Sequence, residues 1–106
     1  MADAVLVAFC TFPHGEVARN VTHELVQRRL VACGNILPKV ESIYRWQDKV
    51  ESGDEVLVIF KLKQERYPEF ENVVRSLHPY EVPEVIAFPL SRGLPAYLKW
   101  VSQTCS

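Results

Sequence analysis

Three stretches of this 106-residue chain are apolar at odd and even positions alike: Val5-Leu6-Val7-Ala8-Phe9-Cys10, Val56-Leu57-Val58-Ile59-Phe60 and Val85-Ile86-Ala87-Phe88-Pro89-Leu90. Runs this short and this uniformly apolar predict strands covered on both faces. Between them the period changes. From about His14 to Arg29, Val17, Val21 and Leu25 recur every four residues with Ala18 beside them. Arg19, Asn20, Glu24, Gln27 and Arg28 fill the other face, so an amphipathic helix is expected, with Arg28 and Arg29 in its last turn. A second helix is expected from about Gln64 to Leu77, with Tyr67, Phe70, Val73, Val74 and Leu77 as its stripe, Pro68 in its first turn and Pro79 as its stop. Leu30 to Lys63 reads as one long hairpin. Leu30-Val31-Ala32-Cys33 opens it, Pro38 marks an edge or a bulge, and Ile43-Tyr44-Arg45-Trp46 is rich in strand formers. The turn falls at Gln47-Asp48-Lys49 or at Ser52-Gly53-Asp54; in the first case Gly53-Asp54 becomes a bulge in the return strand. Gly93 and Pro95 start a terminal helix carrying Tyr97, Leu98, Trp100 and Val101.

The order β-α-β-β-α-β plus a helix is that of an α+β, ferredoxin-like fold in one domain spanning residues 1–106. It contains a mismatch. Two helices cover one face of such a sheet, yet three strands are apolar on both. Unless the terminal helix and loops cover the second face, the pattern predicts an oligomer joined through the sheet. The long hairpin offers a further means of reaching a neighbour.

Composition narrows the class. A chain that is 48% hydrophobic and 24% charged is globular. A net charge of -1 gives no basic surface to recruit nucleic acid or an anionic membrane. No run approaches a membrane span, and the start Met-Ala-Asp-Ala lacks a leader pattern, so a cytoplasmic protein is expected. Cys10, Cys33 and Cys105 are odd in number and without paired spacing, which argues against a disulfide framework. Cys105 is expected to be an exposed thiol, and His14 and His23 solvated helix positions.

The densest chemistry lies at His78-Pro79-Tyr80-Glu81-Val82-Pro83-Glu84, where two prolines restrict a backbone carrying an imidazole, a phenol and two carboxylates. Together with Tyr44, Trp46 and Lys61 of the hairpin, Tyr80, Glu81 and Glu84 form a candidate polar constellation. It reads as an inter-subunit network, or as a small-ligand cleft; Glu81 and Glu84 could pair with Lys61 or act as hard-oxygen ligands. Acid–base catalysis by Glu81 or Glu84 is the weaker option, because no nucleophile–base–orienter set is visible. No phosphate loop occurs.

Several pieces, in order and at matching spacing, resemble the CutA divalent-cation tolerance family. They are Leu30-Val31-Ala32-Cys33-Gly34-Asn35-Ile36-Leu37-Pro38, Ser42-Ile43-Tyr44-Arg45-Trp46-Gln47-Asp48-Lys49-Val50-Glu51, Glu55, Phe60-Lys61, the heptapeptide 78–84, and Tyr97-Leu98-Lys99-Trp100. The resemblance implies a homotrimer similar to the PII signalling proteins and a link to copper or another divalent metal ion, without an established enzymatic activity, so no enzyme is expected. It implies metal ligation by Cys10, Cys33 and His78, whose thiolate and imidazole groups suit copper. Gly34 and Leu62 depart from the family, where a larger residue such as valine and a small polar residue are expected. Topology divides the three ligands. Cys10 ends the first strand and His78 the second helix, at one end of the sheet. Cys33 begins the second strand, parallel to the first, and is expected at the other end, roughly 20 Å away.

Overall fold

A computed structural model describes residues 4–106; residues 1–3, on which the expectation of no leader partly rests, lie outside the described residues. The elements run β1 (Val5–Phe12), α1 (Gly15–Gln27), β2 (Cys33–Trp46), β3 (Lys49–Lys63), α2 (Tyr67–Leu77, entered through a short 3-10 turn), β4 (Val85–Pro89) and α3 (Pro95–Thr104). All neighbouring strands are antiparallel, in the order β2-β3-β1-β4. This is the expected ferredoxin-like α+β architecture.

Register decides which side chains meet, because directly paired residues project from the same face. Leu6, Ala8, Cys10 and Phe12 pair with Leu62, Phe60, Val58 and Val56, and all eight are buried. Ala18, Val21 and Leu25 of α1 and Phe70, Val73 and Val74 of α2 close this face into the core. Leu62, the departure from the family, is a fully buried member of it. Leu77, expected in the α2 stripe, is instead 41% exposed at the helix end.

The second face is carried by Val7, Phe9 and Thr11, by Leu57, Ile59 and Lys61, by Cys33, Asn35 and Leu37, and by Ile86 and Phe88. The terminal helix covers one end of it: Val101 is fully buried, and the Tyr97 hydroxyl lies 3.7 Å from Cys33 Sγ. It does not cover the rest. Leu37, Ile86 and Phe88 remain exposed, with Phe88 set edge-on against Phe9. The apolar mismatch read from the sequence is therefore present in the fold.

Several local expectations are corrected. Arg29 is not in the last turn of α1 but one residue past its cap, with φ 60. Arg29 N–H bonds to Val26 O and Leu30 N–H to Leu25 O, a Schellman ending that turns Leu30 into the core. Leu30, Val31 and Ala32 are consequently a buried connection, and β2 begins at Cys33. The hairpin turn is at Gln47-Asp48, both with positive φ, and β3 passes Gly53 and Asp54 in regular register. The bulge lies on the other strand, at Pro38-Lys39, between the pairs Leu37↔Leu57 and Val40↔Glu55. Proline's missing donor is tolerated there. Cys105, expected to be exposed, is fully buried as the C-cap of α3.

From Val40↔Glu55 to Trp46↔Lys49 the hairpin runs past the rest of the sheet as a free arm. Seven residues per strand span about 23 Å, and the molecule is 48 × 26 × 22 Å. Ile43, Tyr44, Trp46 and Val50 on this arm are all exposed.

Candidate functional site

His78 is held through its backbone, by ring stacking and by hydrogen bonding. It caps α2, and its backbone N–H bonds to Val74 O. Its ring is 8% exposed and stacks on Phe12 at 4.7 Å. Nδ1 accepts from the backbone N–H of Tyr80 at 3.0 Å, which places the proton on Nε2; Nε2–H donates to Thr11 O at 2.7 Å. Both ring nitrogens are thus engaged. Burial lowers the imidazole's pKa below its ordinary 6.5, which keeps it neutral in this arrangement.

Tyr80 continues outward from His78. Its hydroxyl donates to Glu55 Oε2 at 2.8 Å. Burial first, then the bond to Glu55, push the phenol up to about 12, and Tyr44 adds a smaller electrostatic push. Tyr44 shares a face of the hairpin with Glu55 because of the bulge: with one extra residue at Pro38-Lys39, Val40, Ser42, Tyr44 and Trp46 pair with odd-numbered β3 positions, as Cys33, Asn35 and Leu37 do. Without the bulge, Tyr44 would turn to the face opposite Glu55.

The remaining members of the expected constellation do not join them. Lys61 sits level with Cys33 and Val7 and donates to Asn35 Oδ1. Trp46 is at the arm's tip, paired with Lys49 and 62% exposed. Glu81 is exposed, and Glu84, also exposed, acts electrostatically on Cys10. Sequence reasoning missed Glu55 as a site residue. Its signal was a carboxylate at the start of an otherwise apolar strand.

Cys10 projects into the core, its thiol pushed up to about 12 mainly by burial, with Glu84 and Glu55 adding to it. Cys33 lies on the opposite face of the sheet. It is level with Val7, three positions along from Cys10 and two strands across. That is about 10 Å along and about 9.5 Å across, half the expected offset along the sheet, but with the sheet itself between the thiols. One chain therefore does not gather Cys10, Cys33 and His78 around a shared ion. Among the described residues, no group of three or more His, Cys, Asp or Glu side chains is set to hold a metal. With His78 doubly bonded and Cys10 buried as a thiol, these residues do not fit a resident copper centre within the chain.

An open groove of about 570 Å³ lies between Leu6, Gln64, Tyr67, Pro68, Ala87 and Pro89, and none of these site side chains lines it. No helix among the described residues is long and apolar enough to cross a membrane.

Comparison with known proteins identifies the arrangement. Residues 6–104 match the family model described as CutA1 divalent ion tolerance protein. The chain is 42% identical over 103 residues to the divalent-cation tolerance protein CutA of Thermus thermophilus, covering 97% of both. It is 45% identical over 100 residues to Protein CutA of Mus musculus, and spans 56% of that protein's length, as it does of the human one. A solved structure of the Thermus thermophilus protein superposes with a TM-score of 0.92 at 41% identity, covering 94% of this chain and 97% of the other. The open four-stranded sheet with three helices, the long hairpin and the match along almost the whole chain place this protein in the CutA1 divalent ion tolerance family.

Proposed function

We propose that this chain is a non-enzymatic, self-assembling protein of divalent-cation tolerance that works as a cytoplasmic homotrimer. The observation that carries this reading is the apolar second face of the sheet beside a free arm of exposed Ile43, Tyr44, Trp46 and Val50. A lone chain would leave Leu37 on one edge strand and Ile86 and Phe88 on the other against water, on a face whose central strands are apolar between them. A second copy is the simplest cover, and threefold assembly is what the resemblance implies. A non-catalytic role is supported by His78, which has no lone pair left to act as a base.

Copper or another divalent ion meets this assembly at Cys33. Cys33 is only partly buried, whereas Cys10 and Cys105 are fully buried, and thiolate is the soft ligand that copper favours. Copper titration tests the assignment. Cys33→Ser is expected to lose a bound equivalent, and Cys10→Ser and His78→Ala to keep it at temperatures where both are folded. Loss of copper with His78→Ala but not with Cys33→Ser would overturn it.

A second reading, a PII-like signalling scaffold, draws on the grouping of Tyr44, Tyr80 and Glu55 at the base of the arm. Beside a neighbouring copy, two phenols and a carboxylate would line a cleft for a small molecule or a protein segment. A thermal-shift screen separates the readings. Stabilisation by a metabolite without metal favours the scaffold, and stabilisation by divalent metals alone favours the first reading.

A further inference from the structure

The arm leaves the sheet where two supports end together. Phe12↔Val56 is the last pair between β1 and β3, so from Glu55 outward β3 has only β2 beside it. The Pro38-Lys39 bulge falls at the same level on β2. A bulge bends its strand and interrupts the ladder, and Pro38 contributes no donor to repair it. This junction is a pivot. Beyond it the arm extends about 23 Å, so a rotation of about 10° there moves the tip by about 4 Å.

A chain of three hydrogen bonds spans this pivot. Nε2–H of His78 donates to Thr11 O at 2.7 Å, Tyr80 N–H donates to His78 Nδ1 at 3.0 Å, and the Tyr80 hydroxyl donates to Glu55 Oε2 at 2.8 Å. The inner end is fixed, because the imidazole stacks on Phe12, the last residue of β1. The outer end holds the first residue of β3 that has lost β1. Pro79 and Pro83 flank Tyr80 and limit how far the segment between them can give.

We propose that the chain Thr11–His78–Tyr80–Glu55 is a brace that sets the angle of the β2–β3 arm and holds it ready to receive a second copy of this protein. The inference deepens the assembly reading and rests on it. An unbraced arm spends only a fraction of its time at the angle a partner needs, and the apparent dissociation constant rises by the inverse of that fraction.

Tyr80→Phe is the test. It deletes one hydroxyl and leaves the ring against His78, 4.8 Å between centroids, so no cavity opens. Amide hydrogen exchange and sedimentation equilibrium are read together. The brace predicts exchange at least about tenfold faster at residues 40–46 and 49–55, no change at residues 5–12, and half-dissociation at a concentration at least about tenfold higher. Glu55→Gln keeps an acceptor without its charge and is expected to shift both readouts in the same direction by less. Unchanged arm exchange in Tyr80→Phe overturns the brace, and so does equal acceleration in arm and body, which would mean general destabilisation. A wild-type protein that is monomeric would refute the assembly reading, and arm exchange would still decide whether the brace exists.

Discussion

Replacing His78 with alanine separates structure from metal binding most cleanly. The substitution strands two backbone groups, Thr11 O and Tyr80 N–H, now bonded at 2.7 and 3.0 Å in a site 8% exposed. An unsatisfied buried polar group costs about 1–3 kcal/mol. Loss of the ring stacked on Phe12 adds a packing term, and water entering the vacated space returns part of the sum. A destabilisation of about 3–5 kcal/mol is expected, a large share of the ~5–15 kcal/mol of a typical domain. It is measured by urea unfolding at one fixed protein concentration, since assembly couples to stability. The same site has a pH signature. Burial lowers the folded-state pKa of His78 below 6.5, so below that pH the unfolded chain binds more protons than the folded one. The contribution of neutral His78 is therefore complete above about pH 6.5 and is lost as pH falls. His78→Ala should flatten the stability profile on that acid side while leaving copper stoichiometry intact. A variant of native stability that has lost copper would overturn this role, because His78 would then be a ligand and not a strut.

Two further predictions test local features. Arg29 occupies a left-handed position at the end of α1 that costs a residue with a Cβ about 1–2 kcal/mol. Arg29→Gly is expected to raise stability by about 0.5–1 kcal/mol once glycine's extra chain freedom and the lost bond to Ser106 are deducted, as read from thermal melts. Gly34, where the family resemblance leads one to expect valine, has no room for one: a Cβ there would lie 2.8 Å from Thr22 Cγ2 and 3.1 Å from the Phe60 ring. Gly34→Val should destabilise by about 1–3 kcal/mol, and adding Thr22→Ser, which removes the obstructing methyl, should recover part of it in the same unfolding assay.

The doubly apolar strands carried most of the fold, because short apolar runs bounded by turn residues mark strands, although β4 is exposed from Ile86 to Pro89 in the single chain. Their conflict with a two-helix layer also pointed to the uncovered sheet face. What remained illegible was what depends on conformation and not on composition. The turn at Gln47-Asp48 has two left-handed residues and no glycine, so Ser52-Gly53-Asp54 looked equally suitable. Pro38 signalled a bulge, but not that the bulge would turn Tyr44 to the face that carries Glu55. Cys105 looked like tail, because burial of a C-cap depends on where α3 docks. The imidazole of His78 was visible as chemistry, but its two hydrogen bonds depend on Thr11 O and Tyr80 N–H, groups that every sequence has.

The proposed assembly would complete this fold with copies of itself. Sedimentation equilibrium of the wild-type chain at micromolar concentration tests it directly. A species of about three times the 12.2 kDa chain mass is expected. A stable 12.2 kDa monomer, with Leu37, Ile86 and Phe88 left in water, would contradict it.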